Sequence, residues 1–287
     1  MKNRHLLLIL SLLSCSLLFG QPDSIIYKQT PEGDLKLYFN YPQNWTASDS
    51  RPAIVFFFGG GWKNGTVEHF SRQAAYLAKQ GMLAVRADYR VKSRHGTSPD
   101  KCVEDGKSAI RWVRANARML GINPDMIAGS GGSAGGHVAA CATLIVGLEA
   151  GGEDHSISSR PDLMILFNPV METTSERIIE MIGDEKIAEL ISPNNWFGKD
   201  TPPGIMFFGT DDQLIKPAIR SLPIAASHGV QLELWTAEGA GHGFFNKAPW
   251  FEWTLYLTDQ FLQKNGYLEG EAEIIPPGEV TMEQYKQ

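Results

Sequence analysis

Three short stretches, far apart in the chain, carry residue types able to do acyl-transfer chemistry. Gly131-Gly132-Ser133-Ala134-Gly135 fits G-x-S-x-G between a short strand-like run and a helix-like one. A serine hydroxyl is a weak nucleophile until a base takes its proton, and a tight glycine-flanked turn is one way to expose it. A Cβ two residues to either side of that serine would collide with neighbouring chain, which gives the glycines a physical purpose. Gly209-Thr210-Asp211-Asp212 follows a second apolar run and offers a carboxylate. Gly239-Ala240-Gly241-His242-Gly243 follows a third and offers the imidazole. Serine, then acid, then histidine is the order in which one large α/β fold presents a nucleophile, an orienting carboxylate and a general base.

A fourth stretch, Phe58-Gly59-Gly60-Gly61-Trp62, also directly follows an apolar run. Three glycines there would weaken a core strand, so they are expected to present backbone amides to a ligand. The amides of Gly60 and Gly61, with that of Ala134 just after the serine, are the expected donors to an oxyanion. Trp62, next to this loop, is expected either to line the substrate pocket or simply to pack. Phosphate binding is the competing use of a glycine-rich turn. The turn at 129–136 lacks the G-K-[ST] ending of a P-loop, fits G-x-G-x-x-G poorly and does not open the first βαβ unit.

Such residues need a scaffold that brings strand ends together. From residue 24 onward, strand-like and helix-like stretches alternate. Ser24 to Lys28 and Leu35 to Tyr41 are separated only by a turn at Pro31-Glu32-Gly33 and should pair antiparallel. Ala53 to Phe58, Met82 to Ala87, Met126 to Ala128, Leu163 to Phe167, Ile205 to Phe208 and Gln231 to Trp235 read as further strands. Several are continuous apolar runs, as expected of strands covered on both faces. Helices are expected over 69–80, 101–120, 134–148, 218–228 and 250–264. The expected fold is α/β: a mostly parallel central sheet with antiparallel N-terminal strands and helices on both faces. In such a sheet reactive groups gather at the carboxyl ends of strands, and all four stretches above lie there. Residues 171–192 would form at most a small lid. The tail over 268–287 should be extended or loosely packed.

The chain has 287 residues, 43% hydrophobic and 20% charged, with a formal net charge of −6. That balance argues against a surface that tracks nucleic-acid phosphates. Lys2 and Arg4 precede a charge-free run from Leu6 to Phe19, with the small Gly20 before Gln21. This is the layout of a secretory leader over 1–20, too short to span a bilayer, with one catalytic α/β domain expected over 21–267. Leu12-Leu13-Ser14-Cys15 is the alternative, a lipobox that would anchor the protein through Cys15. The expected location is therefore secreted or periplasmic, without stable membrane insertion. Cys102 and Cys141 would remain, either bridged or as two buried thiols. Asp88 and Arg90 are expected to form a buried pair bracing the loops, and His137 a structural contact behind Ser133. No spacing of His, Cys and carboxylates fits a metal, and no cofactor is expected.

Over about residues 25–265 the sequence resembles the esterase/lipase branch of the α/β-hydrolase superfamily. The resemblance is to bacterial acetyl-esterase and feruloyl-esterase-like enzymes, near the hormone-sensitive-lipase group. It rests on Gly59-Gly60-Gly61-Trp62, Asp88-Tyr89-Arg90, Arg111-Trp112-Val113-Arg114-Ala115-Asn116, Gly131 through His137, Gly209-Thr210-Asp211-Asp212 and His242-Gly243-Phe244. The family pattern G-[ST]-x-D implies Asp212, rather than Asp211, as the triad acid. It also implies a serine carboxylesterase acting on acetyl or hydroxycinnamoyl esters of polysaccharides or their fragments. The alternatives are a prolyl-oligopeptidase-like peptidase, an arylformamidase, or a non-catalytic ligand-binding protein on a hydrolase fold. One departure stands out: these families write H-G-G-G, with the histidine supporting the oxyanion loop, where this chain has Phe58.

Overall fold

The computed structural model describes residues 23–286. The expected leader over 1–20, with Cys15, lies outside the described residues. Nine strands form one sheet: β1 (Ser24–Thr30), β2 (Gly33–Asn40), β3 (Arg51–Phe57), β4 (Leu83–Ala87), β5 (Ile122–Gly132), β6 (Leu163–Phe167), β7 (Gly204–Gly209), β8 (Leu232–Ala237) and β9 (Met282–Gln284). Their order is β1-β2-β4-β3-β5-β6-β7-β8-β9. β1 and β2 pair antiparallel and β2 runs antiparallel to β4. From β4 through β8 every pairing is parallel. This is the α/β-hydrolase arrangement.

Alternation along β3 divides the core in two. Val55 and Phe57 face a layer containing Ala109, Ile110 and Val113 of the helix Pro99–Ala115. Ile54 and Phe56 face the opposite layer, with Leu77 of the helix Ser71–Lys79 and Phe261 of the helix Trp250–Lys264. All four β3 side chains are almost fully buried. That explains why the strand is apolar without interruption.

Several elements depart from their expected bounds for physical reasons. β5 begins four residues earlier and runs four residues further than the Met126–Ala128 stretch, through Gly129-Ser130-Gly131-Gly132. Glycine is a poor strand former, but β3 and β6 flank this segment and supply its hydrogen bonds. A Cβ on Gly129 would stand 2.7 Å from Pro161 Cγ. The single helix expected over 101–120 breaks at Asn116, whose backbone leaves helical geometry while its carboxamide donates to the Trp112 carbonyl. The helix after Ser133 ends at Leu144, not 148. There the buried Lys107 donates to the Ile145 carbonyl and to Glu149 Oε1, each at 2.7 Å.

One open alternative is resolved and two expectations are modified. Cys102 and Cys141 are both buried and both free, and burial pushes each thiol's pKa up. Asp88 and Arg90 do not pair with each other. The Arg90 guanidinium donates two hydrogen bonds to Asp105 and one to Glu104, each at 2.8 Å, and its backbone amide donates a third to Asp105 at 3.0 Å, while Asp88 is held by Arg94. The tail is mostly irregular, but Met282 to Gln284 add β9 antiparallel to β8 and bury Met282. So short a strand has too few residues for a readable alternation. Among the described residues no helix is long and apolar enough to cross a membrane.

His137 is wholly buried between two partners: Trp62 Nε1 donates to its Nδ1 at 3.2 Å, and its Nε2 lies 2.7 Å from the Ile191 carbonyl. Those bonds fix the neutral tautomer with the proton on Nε2. Burial lowers its pKa from 6.5 to about 4. The folded protein therefore binds fewer protons here than the unfolded chain does. The stabilisation is complete above pH 6.5 and is lost as pH falls toward 4. At about 1.4 kcal/mol per pH unit, the loss is about 3 kcal/mol. Urea unfolding at pH 7 and pH 4.5 should show it, and a His137→Leu variant, though weaker at both, should have a flatter pH dependence. Equal pH dependence in the two proteins would contradict the assignment.

Candidate active site

Ser133 stands at the junction between β5 and the helix Ala134–Leu144, with φ 54° and ψ −120°. A non-glycine residue in that region is strained, by about 1–3 kcal/mol, and persists only where its surroundings impose it. The surroundings do so here. The Ser133 amide donates to the Phe167 carbonyl at the end of β6 at 2.9 Å, and the Ser133 carbonyl accepts from His137 in the first turn of the helix. Gly135 permits the close approach: a Cβ there would stand 2.1 Å from the Phe57 carbonyl oxygen and 2.3 Å from that of Phe58.

The carboxyl ends of β7 and β8 deliver the other two groups. Asp212 lies three residues beyond β7 and is buried; His242 lies five beyond β8 and is about half exposed. The two loops are tied together, the Asp211 amide donating to the Ala240 carbonyl at 3.0 Å and the Gly239 amide to Thr210 Oγ1 at 2.8 Å. Asp212 Oδ2 is 2.7 Å from His242 Nδ1, and its Oδ1 accepts from the Leu214 amide at 2.9 Å. His242 Nε2 is 2.9 Å from Ser133 Oγ. With the Nδ1 proton held by the carboxylate, the Nε2 lone pair faces the serine hydroxyl. Chemically, this is a hydroxyl whose proton has somewhere to go.

The glycine loop after β3 sits beside the serine. The amides of Gly60, Gly61 and Ala134 donate to no carbonyl or side-chain acceptor among the described residues, which leaves them available to a ligand. Gly60 has φ 137°, and a Cβ on it would stand 2.1 Å from the Asn64 carbonyl oxygen. Phe58, in the place of the usual histidine, stacks on Tyr89 with ring centroids 4.1 Å apart, and Tyr89 Oη donates to the Phe58 carbonyl at 2.5 Å.

Two spaces meet at Ser133 and His242. The larger, about 680 Å³, is walled by Trp62, Val170, Ile178, Met181 and Leu214, with Arg220 at its rim. Residues 171–192, expected to be at most a small lid, contribute the helices Glu176–Ile182 and Glu185–Leu190, and the first of these forms part of the wall. Trp62 is only 3% exposed; its indole N–H points inward to His137, so its contribution to the cleft is the ring. The smaller space, about 320 Å³, includes Asn168 and Phe245.

Asn168 was not expected at the site. It follows β6 directly, wholly buried, its Nδ2 3.4 Å from His242 Nε2 and its Oδ1 accepting from the Gly243 amide at 3.2 Å. Its position immediately after a strand was the available signal. No group of three or more His, Cys, Asp or Glu among the described residues is placed to hold a metal.

Comparison with known proteins identifies the family. The BD-FAE family model matches residues 37–222. The chain belongs to the BD-FAE family. It is also similar to esterase 2 of Thermogutta terrifontis, an α/β-hydrolase esterase. The apo form of that enzyme superposes with a TM-score of 0.83 at 43% sequence identity, covering 86% of this chain and 96% of the other. Its propionate-bound form gives a TM-score of 0.82 with the same identity and coverage. The acetylxylan esterase of Xylanibacter ruminicola is 28% identical over 251 residues, 82% of this chain and 48% of that protein. Carboxylesterase NlhH of Mycobacterium tuberculosis is 36% identical over 93 residues, 32% of this chain and 28% of that one. The chain thus spans between about a quarter and a half of these two curated relatives. In this chain the glycine loop, the serine turn and the two loops after β7 and β8 converge on one cleft.

Proposed function

We propose that the protein is a serine carboxylesterase that hydrolyses short acyl esters on polysaccharides or their fragments through an acyl-enzyme. The observation that carries this reading is the continuous line from Asp212 through His242 to Ser133, with contacts of 2.7 and 2.9 Å. Ser133 Oγ attacks the ester carbonyl as His242 Nε2 takes its proton, and Asp212 holds the imidazole and stabilises its cation. The amides of Gly60, Gly61 and Ala134 receive the oxyanion, each donor contributing about 3 kcal/mol to the transition state. His242 then returns the proton to the departing alcohol, and a water activated by the same imidazole releases the acid.

The choice of short acyl groups draws on two relatives: Thermogutta terrifontis esterase 2 has propionate-bound and butyrate-bound structures, and one curated relative is an acetylxylan esterase. The apolar wall of the larger cleft, with Glu172 and Arg220 at its edge, suits a sugar whose faces are apolar and whose rim is hydroxylated. A leader over 1–20 would export the domain over 21–267 to such polymers, outside the cell or in the periplasm. The test is a panel of 4-nitrophenyl acetate, butyrate and octanoate, methyl ferulate and acetylated xylan. Acetate, butyrate and acetylated xylan are expected to be hydrolysed faster than octanoate. An octanoate preference, or no acetate released from xylan, would overturn the substrate assignment.

A further inference from the structure

His69 lies in a short 3₁₀ turn, Val67–Phe70, outside every stretch that carries the esterase resemblance. Its Nδ1 accepts from the Gly59 amide at 2.9 Å. An imidazole nitrogen that accepts carries no proton, so the ring is neutral with its proton on Nε2; Asn246 Nδ2 stands 3.3 Å from that nitrogen, and the carboxamide accepts the proton only when turned to present its oxygen. Phe70 and Phe245 fix the ring's orientation, their centroids 4.8 and 5.7 Å from its own. Gly59 is clamped between this ring and the serine. A Cβ on it would stand 3.1 Å from His69 Cε1 and 3.4 Å from Ser133 Cβ.

Gly60 and Gly61 come next, and three consecutive glycines have no side chain to hold them in one conformation. The loop is therefore fixed from outside. At its start Tyr89 holds the Phe58 carbonyl, and at its end the Lys63 and Asn64 amides return to the Gly60 carbonyl at 3.1 and 3.2 Å. Between them, among the described residues, the one side chain that grips a glycine amide is His69. Burial, and the neighbouring His242, hold the His69 pKa below its ordinary value. That preserves the lone pair the Gly59 amide needs, including when His242 becomes an imidazolium during turnover.

We infer that His69 is a positioning residue: it fixes the Gly59 peptide so that the amides of Gly60 and Gly61 meet the oxyanion, the support that related enzymes draw from a histidine at the place of Phe58. The inference rests on the esterase reading above. Because the contact acts on the developing oxyanion and not on bound substrate, its loss belongs in kcat.

The test compares His69→Leu with His69→Asn, two side chains of nearly equal size, only the second carrying an acceptor close to where Nδ1 lies. With 4-nitrophenyl acetate, His69→Leu is expected to lower kcat by about 10- to 100-fold, somewhat less than deletion of an oxyanion donor. KM should stay within about twofold. Affinity for a trifluoromethyl ketone, which forms a tetrahedral adduct, should fall in step with kcat, while that for propionate does not. His69→Asn should recover most of both losses. If His69→Leu does not fold, His69→Phe, which keeps an aromatic ring between Phe70 and Phe245, takes its place in the comparison. Unchanged kcat without the acceptor, or a loss that asparagine does not recover, overturns the inference. A wild-type protein that hydrolyses no ester instead sinks the esterase reading itself.

Discussion

Replacing Ser133 with alanine is expected to reduce kcat for ester hydrolysis by about 10⁵- to 10⁶-fold, as loss of the nucleophile does in serine hydrolases. The remaining rate would come from the amides of the glycine loop and from binding alone. Stability should hardly change. Ser133 Oγ hydrogen-bonds only to His242 among the described residues, on the open side of the cleft, and alanine keeps the same strained backbone at φ 54°. Ser133→Gly separates chemistry from strain more sharply. It removes the hydroxyl and also the Cβ that makes this conformation costly, so it should be equally inactive yet more stable than Ser133→Ala by about 1 kcal/mol. Matched urea titrations and acetate-ester kinetics on the three proteins would read both effects. Wild-type turnover in Ser133→Ala would remove the serine from the mechanism. A glycine variant less stable than the alanine one would mean that the turn is not strained in the way its dihedral angles indicate.

How far the sequence disclosed this arrangement depends on what each part had to bury. β6 and the helix Trp250–Lys264 occupy the residues that their apolar patterns predict, because strands covered on both faces and amphipathic helices write their burial into composition. The serine turn and the glycine loop were legible because close backbone approach demands glycine, as the 2.1 Å gap beside Gly135 shows. The extent of β5 was not legible, since glycines take strand geometry only when neighbours on both sides hold them. Nor were the partners of Arg90. Glu104 and Asp105 lie on a helix fourteen and fifteen residues further on, and a charged side chain does not announce which opposite charge it will meet. The cysteines show the same limit, because two thiols in one fold carry no record of their separation. Asn168 and His69 escaped for a related reason: each acts through a neighbour's peptide or ring, and such contacts follow no spacing along the chain.

The choice between the adjacent acids leads to the second large effect. Asp212→Asn is expected to lower kcat by about 10⁴-fold with the fold intact, whereas Asp211→Asn should stay within about twofold. Asp211 is exposed, and its carboxylate contacts no donor among the described residues. Asp212 is buried with both oxygens engaged, Oδ1 by the Leu214 amide and Oδ2 by His242 Nδ1. In the asparagine variant the Leu214 amide still requires an acceptor, so the carboxamide oxygen turns to it and the NH₂ group faces His242. That NH₂ can only donate, and it holds the imidazole with its lone pair on Nδ1 and its proton on Nε2. The nitrogen 2.9 Å from Ser133 Oγ is then already protonated and has no lone pair to offer the hydroxyl. A loss in Asp212→Asn should therefore fall on kcat and leave KM near the wild-type value. If Asp211→Asn proved the more damaging of the two, the imidazole would be oriented from the solvent side, contrary to the buried geometry at Asp212.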